Sequence, residues 1–494
     1  MADDRYGPVP PPPPTLAGSP AAADQWSPEQ PPQQWQPAPA AARRRRVPGW
    51  LIAVAAATAV ASVVAFGTAL LWPGGPDGPT DPLAFHRFVS VARIDFDQES
   101  RASYTAVLGE RGYAAWEQDG DLRVVAFDVT TGQRAWAETV SGADRWSRIY
   151  AAPGGLLIFP YQPDSTAQRR MFVLDPATGE ERWHADVRGD DHLFLLDGTL
   201  TWLDRAAGVL RGLDPASGDE RWRQELPEEG DPTAVPVLTE ADLTRPADLS
   251  GNPSPGEGDH RIVVVFPDRS ARVFDSRDGK LLSQGSNIAD PDDRLLAYRD
   301  RLFVAPAALG YQLTSYELAE LDSVPRAHYA APDAQRYPEL LEPCGSGRVC
   351  LLENVSFDRQ TTELVAVDAV DGGALWRAPA PGAEHVLGVG QWVAVAADVN
   401  FQPSVVLYGG DGAPVLERAG LVVRLDGGNL LLLAGIGAFA AVGVAGMATG
   451  GGAAEPVDLG QLPAETLAEQ CSWNQHYLVC PDRTGADIWQ FAGD

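Results

Sequence analysis

One short frame of residues returns along most of this chain and constrains its fold more than any other feature. An alternating apolar run, residues 124–127, ends at an aspartate; a glycine follows four residues later, and a tryptophan four residues after that. A fixed spacing that recurs every few tens of residues is the signature of a repeat architecture. The complete frame occurs at Asp128/Gly132/Trp136, Asp175/Gly179/Trp183, Asp214/Gly218/Trp222 and Asp368/Gly372/Trp376, and incomplete copies at Asp275/Gly279/Ser283 and Tyr408/Gly412/Leu416.

Each copy of the frame predicts the end of one β-strand, a tight turn and the start of the next strand. Alternation with a period of two, together with β-branched and aromatic residues, suits a packed sheet. The aspartate side chain bonds the turn amides, and the glycine supplies the positive φ that the turn needs. The tryptophan offers a large apolar ring to an adjacent sheet. Because one ligand does not need its site built six times, the frame indicates a structural role.

The intervals between copies are about the length of four strands, close to the ~40–45 residues of a propeller blade. A double interval separates Gly279 from Gly372. Within it, residues 295–298, 302–304 and 313–316 predict the strands of a degenerate blade. Radial stacking of such sheets leaves only short edges, which protects an all-β chain from aggregation.

The segments LDPATGEERW (residues 174–183) and LDPASGDERW (residues 213–222) resemble the tryptophan-docked repeats of the quinoprotein-type, or PQQ-like, β-propeller superfamily. That superfamily includes alcohol dehydrogenases that use pyrroloquinoline quinone and a non-enzymatic lipoprotein of the outer-membrane β-barrel assembly machine. The resemblance covers residues 85–494. It implies an all-β propeller of about eight four-stranded blades, since eight is the usual number there. The lone strands predicted at residues 88–94 and 488–491 are expected to complete one blade together.

The N-terminal region predicts a membrane anchor. Residues 1–46 are Pro-rich, end in four arginines, and are expected to be disordered. Residues 47–72 form an apolar segment whose uncharged part, 23 residues, suffices to cross ~30 Å of hydrocarbon. The arginines precede it and acidic residues follow it, so the positive-inside rule places the N-terminus in the cytoplasm. Residues 59–61 resemble a signal-peptide cleavage site, but the apolar run continues past them and favours an uncleaved, single-pass anchor in the cell membrane of a bacterium.

After the anchor, residues 73–84 form a linker and residues 85–494 the extracytoplasmic propeller. Two of its segments leave alternatives open. Residues 230–259, rich in Asp, Glu and Pro, predict an acidic loop inserted between strands of one blade, with a solvated excursion favoured over a binding loop. Residues 430–447 are apolar enough to resemble a second membrane helix, but four glycines break the run. Two buried strands joined near Gly437 are the favoured interpretation.

The four cysteines fall into two local pairs, Cys344 with Cys350 and Cys471 with Cys480. Turn-forming residues lie between the members of each pair, and cross-hairpin cysteines come within disulfide range. Outside the cytoplasm, an even number of cysteines favours bridges. A zinc site is the alternative, but the spacings are not CxxC and no histidine pair accompanies them. Two local disulfides are therefore predicted.

No catalytic or metal-binding signature stands out in the sequence, and the cofactor site is unknown. The net charge of −29 disfavours nucleic acid as a partner. Residues 290–293 resemble a calcium loop but lack its glycine and distal glutamate, so a solvated turn is expected. Quinoprotein dehydrogenases typically carry a vicinal disulfide against the cofactor. No two cysteines are adjacent here, so binding of pyrroloquinoline quinone is disfavoured.

These observations predict a membrane-anchored propeller that acts as a non-enzymatic binding or scaffold module. Its partner would be a protein, a peptide or a cell-envelope polymer. The alternatives are a quinoprotein-like oxidoreductase with a degenerate site and an extracytoplasmic sensor whose Pro-rich tail recruits a cytoplasmic partner.

Overall fold

The computed structural model describes residues 81–162, 164–227, 230–248, 256–355, 359–399, 402–435, 441–450 and 455–493. All of them belong to one compact unit, residues 74–494. The predicted tail (residues 1–46), the anchor (residues 47–72) and most of the linker lie outside these ranges. Within them, every helix is too short or too polar to cross a membrane.

The described residues are β-strands joined by turns, with two short 3₁₀ helices, Ala241–Thr244 and Ala468–Gln470. After a lone first strand, consecutive strands pair in antiparallel groups of four, and each group forms one blade. The first strand is β1 (Ala84–Asp95). Blade 1 is β2 (Ser103–Leu108), β3 (Arg111–Gln118), β4 (Asp121–Asp128) and β5 (Arg134–Val140); blade 2 is β6 (Trp146–Ala152), β7 (Gly155–Pro160), β8 (Gln168–Leu174) and β9 (Glu181–Arg188); blade 3 is β10 (His192–Leu196), β11 (Thr199–Asp204), β12 (Val209–Leu213) and β13 (Glu220–Glu225).

Blades 4 and 5 share one eight-stranded sheet, because their innermost strands pair in parallel through Val237 with Ala297 and Leu238 with Tyr298. Two very short strands interrupt blade 4 between its first and second strands. Blade 4 is β14 (Thr233–Leu238), then the interrupting β15 (Ala247–Asp248) and β16 (Gly256–Gly258), then β17 (Arg261–Val265), β18 (Ala271–Asp275) and β19 (Leu281–Gly285); blade 5 is β20 (Arg294–Tyr298), β21 (Arg301–Ala305), β22 (Gln312–Glu317) and β23 (Arg326–Ala330).

The remaining strands follow the same plan, and the last blade takes β1 as its outermost strand. Blade 6 is β24 (Tyr337–Pro343), β25 (Arg348–Asn354), β26 (Glu363–Asp368) and β27 (Ala374–Pro379); blade 7 is β28 (Ala383–Val389), β29 (Trp392–Val399), β30 (Gln402–Tyr408) and β31 (Pro414–Ala419); blade 8 is β32 (Leu421–Arg424), β33 (Asn429–Ala434), β34 (Val442–Ala448) and β35 (Val457–Leu462); blade 9 is β36 (Ser472–Trp473), β37 (Tyr477–Pro481), β38 (Gly485–Gly493) and β1.

The described residues thus form nine blades, one more than the predicted number of about eight. Blades 8 and 9 carry no Asp–Gly–Trp frame, so counting frames leaves them out. Their strands are nevertheless buried, since Leu431 and Leu478 are fully inaccessible to solvent. The apolar run at residues 430–447 supplies β33 and β34, so the two predicted strands are confirmed, while their junction near Gly437 lies outside the described residues.

The hydrophobic core is divided into nine clusters, each shared by two neighbouring blades. Leu122 of blade 1 packs with Ile158 of blade 2, for example. The cluster with Ile488 of blade 9 and Trp116 of blade 1 joins the last blade to the first. Because every blade buries one face against each neighbour, the clusters close a ring, as a propeller requires.

The two ends of the domain meet in blade 9. β1 pairs antiparallel with β38, from Ala84 opposite Gly493 to Asp95 opposite Gly485. This pairing confirms the closure predicted for the first and last strands. It leaves the N-terminal strand as the outer edge of the last blade, so the ring is held shut by backbone hydrogen bonds between distant parts of the sequence.

Candidate functional site

The repeated aspartates and glycines lie in the turns between the third and fourth strands of their blades. The Asp175 carboxylate accepts hydrogen bonds from the backbone N–H groups of Ala177 (2.7 Å) and Thr178 (3.1 Å). The Ala177 N–H and the Arg182 guanidinium hold the pKa of Asp175 below its ordinary value. The glycine that closes this turn, Gly179, has φ +83°. The turn therefore needs the aspartate for its hydrogen bonds and the glycine for its backbone angle. Asp128, Asp214 and Asp368 each accept hydrogen bonds from two turn amides in the same way, and Asp275 accepts one from Arg277; Gly132, Gly218, Gly279 and Gly372 have positive φ.

Each repeat tryptophan lies against the turn of the following blade. A Cβ added to Gly218 would stand 2.6 Å from the Trp183 ring, and the Trp183 indole donates to the carbonyl oxygen of Pro215 at 3.1 Å. The glycine is thus required twice, for its backbone angle and for the space that the ring occupies. Trp136 meets Gly179, Trp222 meets Gly279 and Trp376 meets Gly412 in the same manner.

The repeat tryptophans differ in burial. Trp222 is 8% exposed, whereas Trp136, Trp183 and Trp376 are half-buried. All four belong to the outer strands of their blades, so the position of the strand does not account for the difference.

Blades 4 and 5 lack the tryptophan and keep its hydrogen bond by other means. Ser283 takes the place in blade 4 and donates its hydroxyl to the carbonyl oxygen of Leu318 in the next turn at 2.5 Å. In blade 5 the place is taken by His328, which lies against Gly372, is 3% exposed and has its Nδ1 3.2 Å from the carbonyl oxygen of Asp368. Burial lowers the pKa of His328. Docking to the next turn is therefore retained without the indole.

The cysteines form the two local bridges that their spacing predicted, Cys344–Cys350 and Cys471–Cys480, with Cα–Cα distances of 5.6 and 4.2 Å. Both lie at inner parts of the ring. Cys344 and Cys350 flank the turn between β24 and β25, and Cys471 precedes β36. The disulfide prediction is confirmed.

The segment between β14 and β17, residues 239–260, is here called the insert. It follows the innermost strand of blade 4, and its described residues, 239–248 and 256–260, contact several other blades. Its β15 pairs antiparallel with β32 of blade 8, through Ala247 and Arg424, and its β16 pairs in parallel with β10 of blade 3, through Phe194 and Gly256. The prediction of an insertion between strands of one blade is correct, but its predicted start at residue 230 is wrong, because residues 233–238 form β14. The preference for a solvated excursion is wrong for the described part, because the innermost strands of two other blades hold it.

Arg424 fixes the insert to blade 8. Its guanidinium donates to the carbonyl oxygens of Arg245 (2.6 Å) and Asp242 (3.1 Å) in the insert and of Gly388 (2.8 Å) in blade 7. Arg424 is 6% exposed, and this burial lowers its pKa to about 10. A buried guanidinium whose donors are directed at three carbonyls defines one position for the crossing segment.

Glu240 fixes the insert on the side of blades 5 and 6. Its carboxylate accepts hydrogen bonds from Tyr298, from Arg299 and, at 3.3 Å, from the backbone N–H of Gly347. The insert therefore contacts the turns that follow the innermost strands of several blades, and it crosses the ring at that end of the central channel.

A cavity of about 340 Å³ lies beside the innermost strands of blades 4, 5 and 6. Its size falls at the lower end of the ~300–1,000 Å³ typical of ligand pockets. Apolar side chains form much of its wall: Val235, Leu295, Leu340 and Leu341. Its polar lining comes from Thr233, Asp292, Asp293, Arg294 and Glu342.

Two ionisable side chains of this cavity have no partner among the described residues. The Arg294 Nε is buried without a hydrogen-bond acceptor. Glu342 is half-buried, and desolvation raises its pKa to about 7. The cavity thus presents one cationic group and one carboxyl that is partly protonated at neutral pH.

One group of buried charges between blades 5 and 6 is paired. Glu353, fully inaccessible to solvent, accepts hydrogen bonds from the hydroxyls of Tyr311 (2.7 Å) and Tyr329 (2.8 Å) and lies 3.2 Å from Arg377 and 3.5 Å from Arg336. This network joins the two blades, although the Nε of Arg336, like that of Arg294, lacks an acceptor. Arg294 differs from Arg336 because no carboxylate of the described residues pairs with it, and this difference marks the candidate site.

The acidic turn before β20 is held together by its own hydrogen bonds. Asp293 accepts from the backbone N–H groups of Asp290 (2.8 Å) and Ala307 (3.0 Å). Across the described ranges, no group of three or more His, Cys, Asp or Glu side chains is placed to hold a metal ion.

Sequence reasoning missed Arg294, Glu342, Glu240 and Arg424. A charged residue within an apolar strand was the available signal, as in the run Leu340-Leu341-Glu342. Without the ring, nothing in that run shows whether the charge faces solvent, another blade or the channel.

The fold and site define a β-propeller of tryptophan-docked repeats whose innermost strands border a cavity. Residues 105–305 match the model of the family described as "Outer membrane protein assembly factor BamB". The repeats in that range are therefore PQQ-like, and the predicted resemblance is confirmed for them. No curated protein matches the sequence significantly.

Several solved structures are similar to this chain. BamB from Moraxella catarrhalis is 14% identical, with a TM-score of 0.40 over 82% of this chain and 98% of that one. The computationally designed protein Ika8 is 10% identical, with a TM-score of 0.41 over 81% and 99%. The WD40 domain of SCAP from fission yeast is 9% identical, with a TM-score of 0.37 over 83% and 98%.

Proposed function

We propose that this protein is a membrane-anchored, extracytoplasmic binding or scaffold module whose propeller holds a protein, a peptide or a cell-envelope polymer. The observation that carries the proposal is the cavity at blades 4–6, where the buried Nε of Arg294 has no acceptor among the described residues. A buried polar group without a partner is costly in free energy, and a ligand that supplies the missing bonds recovers that cost.

The family match supports a binding role rather than catalysis. The matching model describes an assembly factor, and its match covers residues 105–305, which include nearly all of blades 1–4 and the two inner strands of blade 5. By analogy, this chain would bring envelope components together without transforming them. No step of chemistry is assigned to any residue.

The extracytoplasmic location is supported by two observations of different kinds. The two disulfides suit an oxidising compartment. Arg43–Arg46 precede the apolar segment at residues 47–72, an order that the positive-inside rule associates with a cytoplasmic N-terminus.

A labelling experiment tests the topology. A cysteine introduced at Gly75 should react with a membrane-impermeant thiol reagent on intact cells or spheroplasts, whereas one at Ala21 should react only after lysis. The opposite pattern would contradict the proposal. A mature N-terminus just after residue 61 would show that the anchor is cleaved.

Photo-crosslinking tests the binding role. A photoreactive residue placed at Asp292, on the exposed side of the cavity, should yield a defined adduct in cells, and one at the exposed Arg101 should not. Purified full-length chain should not reduce redox dyes in the presence of pyrroloquinoline quinone and calcium. Quinone-dependent dye reduction would favour the oxidoreductase instead.

A further inference from the structure

The chemistry of the cavity at blades 4–6 narrows the class of ligand, an inference that rests on the proposed binding function. Arg294 is the first residue of β20, at the innermost position of blade 5. Its side chain is half-buried and forms no ion pair within the described residues, and its buried Nε lacks an acceptor. A guanidinium offers a planar fork of donors that matches a carboxylate in a bidentate arrangement.

The acids of the cavity form no ion pair with this arginine. Asp293 lies next to it in sequence, but its two carboxylate oxygens accept hydrogen bonds from the backbone N–H groups of Asp290 and Ala307. Asp292 is exposed and makes no ion pair with Arg294. Both acids keep their negative charges near the cavity, but within the described residues the guanidinium donors of Arg294 are not engaged by a carboxylate and can contact a ligand.

Glu342 adds a second donor to the same cavity. Its carboxyl has no hydrogen-bond partner in the described part of the chain, and burial raises its pKa to about 7. Below that pH the carboxyl is mostly protonated and can donate its O–H to an acceptor. Above it, the ionised group repels an anion.

The remaining side chains that line the cavity favour a ligand with an apolar part. Val235 and Leu295 come from blades 4 and 5, and Leu340 and Leu341 come from blade 6. We propose that this cavity binds a carboxylate that carries a short aliphatic chain, with the carboxylate on Arg294 and Glu342 and the chain against the four apolar side chains.

The acidic composition of the chain does not oppose this assignment. Its net charge is −29, but charges beyond the Debye length of ~8 Å are screened at physiological salt. The nearest groups therefore decide the local preference. Two sources carry the proposed chemistry, the C-terminal residue of a peptide and a free aliphatic acid.

Calorimetric titration of the full-length chain in detergent separates these sources. The probes are N-acetylglycyl-leucine, its C-terminal amide, butyrate and butyramide. Each acid should bind at least about tenfold more tightly than its own amide, because only the acid engages the guanidinium through charge. Tighter binding of N-acetylglycyl-leucine assigns the cavity to peptide C-termini, and tighter binding of butyrate assigns it to free acids. Absence of binding by both acids, or equal binding of acid and amide, would overturn the proposal.

Variants identify the residues responsible. Arg294→Gln should weaken binding of the acid at least about tenfold and leave the amide unaffected, and Arg294→Lys should give an intermediate value. The matched control is Arg101→Gln, at an exposed arginine before β2, which should bind as the wild type does. A melting curve of each variant shows that the fold is retained. Unchanged affinity in a folded Arg294→Gln variant would exclude the assigned role.

The pH dependence of the affinity tests the role of Glu342 directly, because a residue that only supports the fold would not change it. Wild-type affinity for the acid should fall as pH rises through about 7, because Glu342 loses its proton. Glu342→Gln should bind equally well on both sides of that pH, since the amide keeps a donor and gains no charge. A pH-independent wild type would contradict the placement of Glu342.

The two proposals fail in different ways. If the acids do not bind but crosslinking from Asp292 still captures a partner, the binding function stands and the carboxylate site is wrong. If the acids bind but no partner is captured, the site stands and the scaffold function is wrong.

Discussion

At the residue scale, the repeat tryptophans are not equivalent, although the sequence presents them as copies. Trp222 is 8% exposed, and its indole donates to the carbonyl oxygen of Ser276 at 2.7 Å. Trp183 makes the matching bond to Pro215 but remains half-buried. The contribution of each ring to stability therefore follows its burial rather than its place in the frame.

Trp222→Ala should lower the free energy of unfolding by ~3–5 kcal/mol, as expected for removing a large buried side chain. Trp183→Ala should cost less, because part of its ring is already in water. Urea unfolding of both variants checks the order. Equal losses, or a larger loss for Trp183, would contradict the burial argument.

In blade 5, His328 occupies the position of the repeat tryptophan. Its titration makes the stability of the folded chain depend on pH. Burial lowers the pKa of His328 in the folded state, and the nearby Arg301 and Arg326 act in the same direction. The unfolded chain then binds a proton more readily than the folded one. The stability that His328 contributes is present above its unfolded pKa of ~6.5 and is lost as pH falls through its lower folded pKa.

His328→Asn, whose side-chain amide can still donate to the carbonyl oxygen of Asp368, should reduce the fall in melting temperature between about pH 7 and pH 5 by ~1–3 °C. His184→Asn is the control, since that half-exposed histidine pairs with Glu181 at the surface. Melting curves at both pH values test this. An unchanged slope in His328→Asn would show that other groups set the acid sensitivity.

At the element scale, the insert adds one short strand to the innermost strand of blade 3 and another to the innermost strand of blade 8. β15 and β16 are only two and three residues long, too short to persist alone. They are held because the innermost strands of blades 3 and 8 offer unpaired backbone groups, and because Arg424 and Glu240 fix the segment between them.

Arg424→Met should release the insert, since it leaves the carbonyl oxygens of Asp242, Arg245 and Gly388 without their donor. Amide exchange of residues 239–248 should accelerate by about tenfold or more, with little change in blades 1 and 2. The matched control is Arg418→Met, at an exposed arginine of β31. Unchanged protection of residues 239–248 would mean that strand pairing alone holds the insert.

At the scale of the whole molecule, stability depends on closing the ring. Ile94 of β1 is 1% exposed and packs in the cluster that joins blade 9 to blade 1. Without β1, that cluster is opened and the long strand β38 becomes a free edge. Free edges promote association between chains.

A chain that begins at Gln98 should therefore melt at least about 10 °C below one that begins at Gly74, or aggregate during purification. The longer chain is the matched control, because it differs only by residues 74–97, which comprise the linker, β1 and the buried Phe96 that follows β1. Differential scanning fluorimetry and size-exclusion chromatography provide the comparison. Equal melting temperatures and monomeric behaviour would show that blade 9 is complete without its outer strand.

The sequence by itself determined what depends on a few neighbouring residues. The Asp–Gly turns, the docking position of the tryptophan and the two short-range disulfides follow from spacings of at most nine residues, over which backbone geometry leaves little choice. The alternation of apolar residues likewise located three of the four strands of blade 5, which lacks the frame.

Only the tertiary structure decided the number of blades, the path of the insert and the cavity. Each depends on which surfaces meet after the ring closes. Arg424 and Arg245, for example, are 179 residues apart in the chain and meet only because blades 4 and 8 border one channel. The sequence does not show whether a charged side chain such as Arg294 or Glu342 lies in water, in a salt bridge or in a cavity. The physical difference between those outcomes is desolvation, which is set by packing across blades rather than by neighbouring residues.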